Sequence, residues 1–161
     1  LNPDVAGAVT TAGNASGLND AAAALVLCSR SFAEAHGLRP LATIRGWASA
    51  GVDPVETGLA PTHALPKALA KAGIAIGDLQ SVEINEAFAS MAVASTRILG
   101  LDPEIVNVNG SGCSLGHPIG CTGARMIVTM VNELIRTDAQ WGAVAMCAAG
   151  GMGSATVIER V

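Results

Sequence analysis

With 161 residues, half of them hydrophobic and only 14% charged, the chain is long enough for one domain with a real core. So few charges point to sheet faces buried on both sides, or to a surface covered by another chain. A net charge of −4, 2% aromatics and no tyrosine exclude the basic, aromatic-lined surface of a nucleic-acid binder. The longest apolar runs, such as residues 21–28, fall well short of the ~20 residues that span a bilayer, so no membrane partner is expected.

The chain opens Leu1-Asn2-Pro3-Asp4 without a basic-then-apolar signal segment and moves at once into strand-like Val9-Thr10-Thr11, which reads as the middle of a larger protein. Residues 11–20 are a turn of small residues, with Asn14, Ser16, Gly17 and Asn19 suited to unusual backbone angles. The alanine-rich run 21–27 is read as a buried strand. Ser31 and Glu34 then have the spacing of a helix-capping box, and Gly37 stops that helix.

Residues 41–47 alternate as a strand, and 48–62, with two glycines and two prolines, read as a loop. Pro66 fits the first turn of a helix that runs to Ala72 and stops at Gly73. Residues 81–84 are a short strand, and Asn85-Glu86-Ala87-Phe88-Ala89 opens a helix ending near Gly100. Another strand, 105–108, leads into a glycine-dense loop over 109–125. Met126, Ile127, Met130, Val131, Leu134 and Ile135 then mark one face of a helix. Strands at 143–147 and 155–158 close the chain around a glycine turn.

The alternation of strands and helices predicts an α/β fold: a mixed, mostly parallel, five-stranded sheet covered by helices on both faces. In such sheets functional loops gather at the carboxyl ends of strands, where Asn85, residues 113–117 and Cys147 all fall. The four cysteines, Cys28, Cys113, Cys121 and Cys147, are widely spaced and mostly in apolar surroundings, as expected for reduced thiols in a cytoplasmic protein.

Cys113, His117 and Cys121 recur every four residues, but Gly116, Pro118 and Gly120 break any helix that would align them. A fourth ligand at short spacing is missing, so no metal is expected. Gly150-Gly151-Met152-Gly153 is followed by a strand, whereas a phosphate loop needs a helix. Asn85 and His117 can both donate hydrogen bonds to an oxygen that becomes negative. Cys147 leaves a buried strand into a turn whose free N–H groups can stabilise a thiolate or an oxyanion.

Asn85-Glu86-Ala87-Phe88-Ala89, then Gly116-His117-Pro118 with Gly120, Gly123, Ala124 and Arg125, then Cys147 before Gly150-Gly151-Met152-Gly153 resemble the three C-terminal signature blocks of thiolases. Residues 11–20 resemble a further block, the pantetheine-contacting turn. The resemblance implies an α-β-α-β-α layered fold and acyl transfer between coenzyme A thioesters, either Claisen condensation or thiolysis of a 3-oxoacyl-CoA. It gives His117 and a water held by Asn85 the oxyanion hole, His117 a further part in activating the nucleophilic cysteine, and Cys147 the acid/base role. Ser16, Ala87 and Phe88 fall along the pantetheine arm. No tightly bound cofactor is implied, since coenzyme A is itself substrate or product.

Three departures accompany it. Ala149 stands where the family commonly has glycine, at the backbone N–H of a second oxyanion hole. Thr57 falls where acetyl-specific members have a methionine, which argues against a strict acetyl preference. None of the four cysteines matches the acyl-accepting motif of the family's N-terminal half. The expected organisation is therefore the end of that half over residues 1–40 and the C-terminal domain over 41–161. Its expected partners are acyl-CoA substrates, an N-terminal thiolase part and further copies in a homo-oligomer. A decarboxylating ketoacyl synthase would have a second histidine in place of Asn85. A non-catalytic thiolase-like subunit is the other alternative.

Overall fold

The computed structural model describes residues 4–161, so Leu1, Asn2 and Pro3 of the opening segment lie outside the described residues. The next stretch forms no strand at 9–11. Thr11 instead caps a 3-10 turn, Ala12–Asn14, by accepting the Gly13 amide, while its own amide donates to Asn14 Oδ1.

Residues 21–29 pair with no strand among the described residues, and Val26 and Leu27 are 91% and 70% exposed. The strand expected there is not formed. A strand exists only through the ladder of its neighbours, and this run meets none. The following helix α1, Arg30–Ala35, starts two residues earlier than expected, because Ser29 rather than Ser31 accepts the Phe32 amide.

Strand β1, Ala42–Gly51, is longer than expected. Its second half is built from small residues of weak strand preference. The ladder to the last strand nevertheless continues through Gly51 and turns Ala48 and Ala50 into the core. The expected loop is thus reduced to a 3-10 turn, Pro54–Leu59, before helix α2, Ala60–Ala72. Pro61, not Pro66, occupies the start of α2, and Pro66 lies within it on the exposed face. The apolar spacing of Ala60, Ala64, Leu65, Ala68, Leu69 and Ala72 prevails over the proline.

Strand β2, Ser81–Ile84, is followed by irregular backbone, and α3, Ala89–Ile98, begins only after Phe88, so Asn85 lies outside it. A four-residue helix α4, Gly112–Leu115, interrupts the glycine loop. Helix α5, Thr122–Thr137, and strands β3, Trp141–Ala148, and β4, Met152–Arg160, complete the chain.

The sheet has four strands in the order β1-β4-β3-β2. Strand β2 is parallel to β3, and β4 is antiparallel to both its neighbours, so three strands run one way and β4 against them. The expected fifth strand at 105–108 is only a single parallel bridge, Val82 to Val106. Asn107 takes the place of the rest. In the left-handed region (φ +53°), it receives the Ile84 amide on Oδ1 at 2.8 Å and donates Nδ2 to the Ile84 carbonyl at 2.9 Å. One side chain thereby satisfies the edge of β2 as a strand would.

Side-chain alternation divides the core into two layers. Val82, Ile84, Ala143, Ala145, Ala155 and Val157 meet Leu65 and Leu69 of α2 on one face. Val144 and Ile158 meet Met126, Met130 and Leu134 of α5 on the other. Helices on both faces leave only the strand ends to carry loops, and the chemistry gathers at one such end. No helix among the described residues is long and apolar enough to cross a membrane.

Candidate active site

Strands β2 and β3 are parallel neighbours, so Asn85 and Cys147 emerge at the same end of the sheet from adjacent strands. The backbone holds Asn85 there, its amide donating to the Ala145 carbonyl at 2.9 Å. The glycine loop closes over this end. Gly112 lies so near that a Cβ would come within 2.6 Å of the Glu86 carbonyl oxygen and 2.9 Å of Asn85 Oδ1, which excludes any other residue there.

His117 sits at the exit of this loop, partly buried. Its backbone amide donates to Asn19 Oδ1 at 2.9 Å. Gly116, at φ +101°, makes that contact possible, because a Cβ there would strike the Asn19 side chain at 2.8 Å. The imidazole Nδ1 lies 2.7 Å from Thr122 Oγ1. Asn85 Nδ2 lies 3.4 Å from Nε2 and 3.5 Å from Nδ1, so the two proposed donors stand side by side. Burial, reinforced by the Arg125 guanidinium, pushes the His117 pKa below its ordinary value and favours the neutral ring.

Beneath His117 lies a buried ionic network. Glu83 of β2, 3% exposed, is paired with Arg125 of α5 and accepts the Ser111 hydroxyl at 2.9 Å. Burial raises the Glu83 pKa, against the lowering influence of Arg125. Glu86 takes the Cys113 amide on Oε2 at 3.1 Å and Asn107 Nδ2 on Oε1 at 3.2 Å. These bonds tie the loop to β2 from below. Asn85 Oδ1 and Arg125 Nη2 are buried without a hydrogen-bond partner among the described residues.

Cys147 is 9% exposed, and its thiol faces the Met91 thioether of α3 at 3.5 Å. Among the described residues its hydrogen-bond partner is therefore methionine, not His117 or Asn85. Burial pushes the Cys147 thiol pKa up, opposed only by its own backbone N–H, so the proton is retained at neutral pH. Positive φ among the described non-glycine residues is confined to Asn107 and Asp138, so Ala149 occupies backbone ordinary for an L residue. The strain that alanine would bring to this turn is not incurred. Thr57 lies alongside, its hydroxyl donating to the Pro54 carbonyl and accepting the Gly151 amide at 3.0 Å.

The small-residue turn docks on the same end. Ser16 donates its amide to the Ala87 carbonyl at 3.0 Å, and Ala15 forms an antiparallel bridge with Phe88. Ser16, Ala87 and Phe88 thus share one seam, with Phe88 42% exposed. Asn19, Met91, Asn107 and Thr122 are the contacts that sequence reasoning missed. Only Asn19 and Thr122 lay within or beside the blocks already singled out.

All four cysteines are free, with Cys28 and Cys113 exposed and Cys121 and Cys147 buried. No three His, Cys, Asp or Glu side chains among the described residues are grouped to hold a metal.

Comparison with known proteins gives the family. The family model "Thiolase, C-terminal domain" matches residues 38–160. Beta-ketothiolase BktB of Cupriavidus necator is 53% identical over 94% of this chain and 38% of its own length. An acetyl-CoA acetyltransferase of Paracoccus denitrificans is 52% identical over 93% of the chain and 38% of its own. The crystal structure of Bacillus anthracis acetyl-CoA acetyltransferase superposes with a TM-score of 0.92 at 51% identity, covering 94% of this chain and 39% of that one. The chain thus spans about two-fifths of the relatives it matches. By its matched domain and the architecture of its four strands, this chain belongs to the thiolase family and contains that family's C-terminal domain.

Proposed function

We propose that the chain is the C-terminal portion of an enzyme that transfers acyl groups between coenzyme A thioesters, and that His117, Asn85 and Cys147 are its catalytic residues. The observation that carries this reading is the delivery of Asn85 and His117 to within 3.4 Å of each other, at the sheet end where Cys147 emerges. Two donors so placed suit a thioester oxygen that gains charge as an enolate forms, and such a pair lowers that barrier by several kcal/mol.

Cys147 moves the proton. In thiolysis its Sγ–H protonates the α-carbon of the departing acyl-CoA as the carbon–carbon bond breaks. The resulting thiolate then takes the proton of the incoming coenzyme A thiol. Condensation runs the same steps in reverse, with Cys147 first protonating the leaving coenzyme A. Both directions begin with Cys147 as a thiol, the form that its burial favours.

A further stretch of thiolase, on the same or another polypeptide, supplies the acyl-accepting cysteine. The arm over residues 1–40 belongs with that stretch, and 41–161 form the C-terminal domain. The exposure of Val26 and Leu27 supports this, as does a family match that begins at residue 38. Ser16, Ala87 and Phe88 line the pantetheine arm of a coenzyme A that is substrate or product, with no resident cofactor. Thr57 in the methionine position favours acyl groups beyond acetyl. The assembled enzyme is a cytoplasmic homo-oligomer. Ala149 lies outside the positive-φ region, which supports the catalytic reading over the alternative of a non-catalytic thiolase-like subunit.

The test is acetoacetyl-CoA thiolysis by the purified chain alone and after mixing with the N-terminal portion of a thiolase relative. Activity only in the mixture is expected. Thiolysis by the chain alone would refute the division of the site, and a folded, stable but inactive complex would favour the non-catalytic subunit.

A further inference from the structure

The turn after Cys147, residues 149–151, rests against the segment that links β1 to α2, and Gly151 is held there by both of its backbone groups. Its carbonyl accepts the Val52 amide at 2.7 Å, and its amide donates to Thr57 Oγ1 at 3.0 Å. The second bond has only one sense, because a backbone N–H donates and never accepts. The hydroxyl gives its own proton to the Pro54 carbonyl at 2.6 Å, which anchors it on the 3-10 turn. At φ +81° Gly151 has no room for a side chain, since a Cβ would collide with the Val52 carbonyl oxygen. The Ala149 and Gly150 amides, by contrast, donate to no group among the described residues. The same segment reaches Cys147 by a second route. A Cβ on Gly58 would come within 3.2 Å of Met91 Cβ, and Met91 Sδ lies 3.5 Å from Cys147 Sγ.

We infer that Thr57 is a positioning residue, whose hydroxyl fixes the turn after Cys147 and so sets in place the unbonded Ala149 and Gly150 amides. Its catalytic consequence rests on the proposed acyl-transfer reading, although the brace is a property of the chain itself. Consecutive glycines restrain a peptide unit least, so the link from Gly150 to Gly151 would swing most freely without an anchor. Free N–H groups stabilise a thiolate or a developing oxyanion well only when they are already aimed, because turning them during the reaction costs what the bond gains. Gripping Gly151 at its N–H and at its C=O removes that freedom within two residues of both free amides. Thr57 bonds to Gly151 and not to the thiol, so it acts through the turn. The role belongs to the hydroxyl and is separate from side-chain size at this position.

The test is amide hydrogen exchange of the ¹⁵N-labelled chain, followed by NMR. In wild type the Gly151 amide should exchange roughly tenfold or more slowly than that of Gly150. Thr57→Val, which keeps the shape but removes the hydroxyl, should speed Gly151 by roughly tenfold and leave Val144 and Val157 of the β3–β4 ladder unchanged. Thr57→Ser should restore the wild-type pattern. A wild-type Gly151 that exchanges as fast as Gly150, or one that valine leaves unchanged, would overturn the inference. In the assembled enzyme, Thr57→Val should lower kcat by roughly tenfold with little change in KM, again rescued by serine. An unchanged kcat, or a loss confined to KM, would remove the positioning role. Should the valine variant not fold, Thr57→Ala takes its place, and the wild-type exchange pattern still decides the brace. A wild-type assembly that shows Gly151 protection but no thiolysis would instead sink the acyl-transfer reading and leave the brace standing.

Discussion

Residues 4–41 and residues 42–161 contain similar apolar side chains and treat them in opposite ways. In the arm Ala33 alone is buried, while Val9, Leu18, Val26 and Leu27 are between 66% and 99% exposed. In the layered body Leu65, Ile84, Leu134 and Val157 are buried completely. Hydrophobicity states how much a residue gains by leaving water. Whether it leaves depends on a facing surface, and the arm has none among the described residues. The arm touches the body chiefly through polar and backbone bonds, Ser16 to Ala87 and Asn19 to His117. It is fastened at the site and nowhere built into the core.

The strongest test of that contrast is chemical. In the assembled enzyme, His117→Ala or Cys147→Ala should cut turnover about a thousandfold with the unfolding transition unmoved. Near-normal rates in either variant would remove that residue from the site. Within the body, Leu65→Ala should cost about 3 kcal/mol in denaturant unfolding, because the cavity between α2 and the sheet cannot collapse. Asn107→Ala should cost roughly 2 kcal/mol. It leaves the Ile84 amide and carbonyl unpaired and places alanine at positive φ.

Thiol chemistry probes the two regions within one molecule. At neutral pH, Cys28 in the arm should be alkylated about tenfold faster than Cys147, as peptide mapping by mass spectrometry would show. Cys147 should become reactive only above the ordinary thiol range near pH ~8.5. The sign for stability follows from the same shift. The folded thiol holds its proton to higher pH than the unfolded one, so its contribution is intact below about pH 8.5 and is lost as the pH rises through the folded value. The smallest effect belongs to the arm, where Val26→Ala and Leu27→Ala in this chain should each change stability by less than about 0.5 kcal/mol. A loss of several kcal/mol there would mean that the arm is packed after all.

Most elements were legible before any coordinates. The α5 face, the β3–β4 pair and the Gly73 helix stop (φ +75°) follow from short-range spacing, since period and turn chemistry are local properties. The blocks around Asn85, His117 and Cys147 were legible for the same reason. Two of the misreadings lie where a distant partner outweighs local preference. Strand β1 persists through Ala48 and Ala50 because β4 pairs with it. Residues 105–108 shrink to one bridge because the Asn107 side chain already saturates β2.

By itself the sequence determined which residues hold reactive groups, the order in which they leave their strands, and the family whose motifs they form. Tertiary structure alone decided their company. It placed Met91 against the Cys147 thiol, Thr122 beneath the His117 ring and Asn19 on the His117 amide, from positions 56, 5 and 98 residues distant. The physical reason is range. Periodicity, capping and turn chemistry act over a few residues, whereas the burial and hydrogen bonding that set a proton's position depend on whatever the packed chain brings alongside.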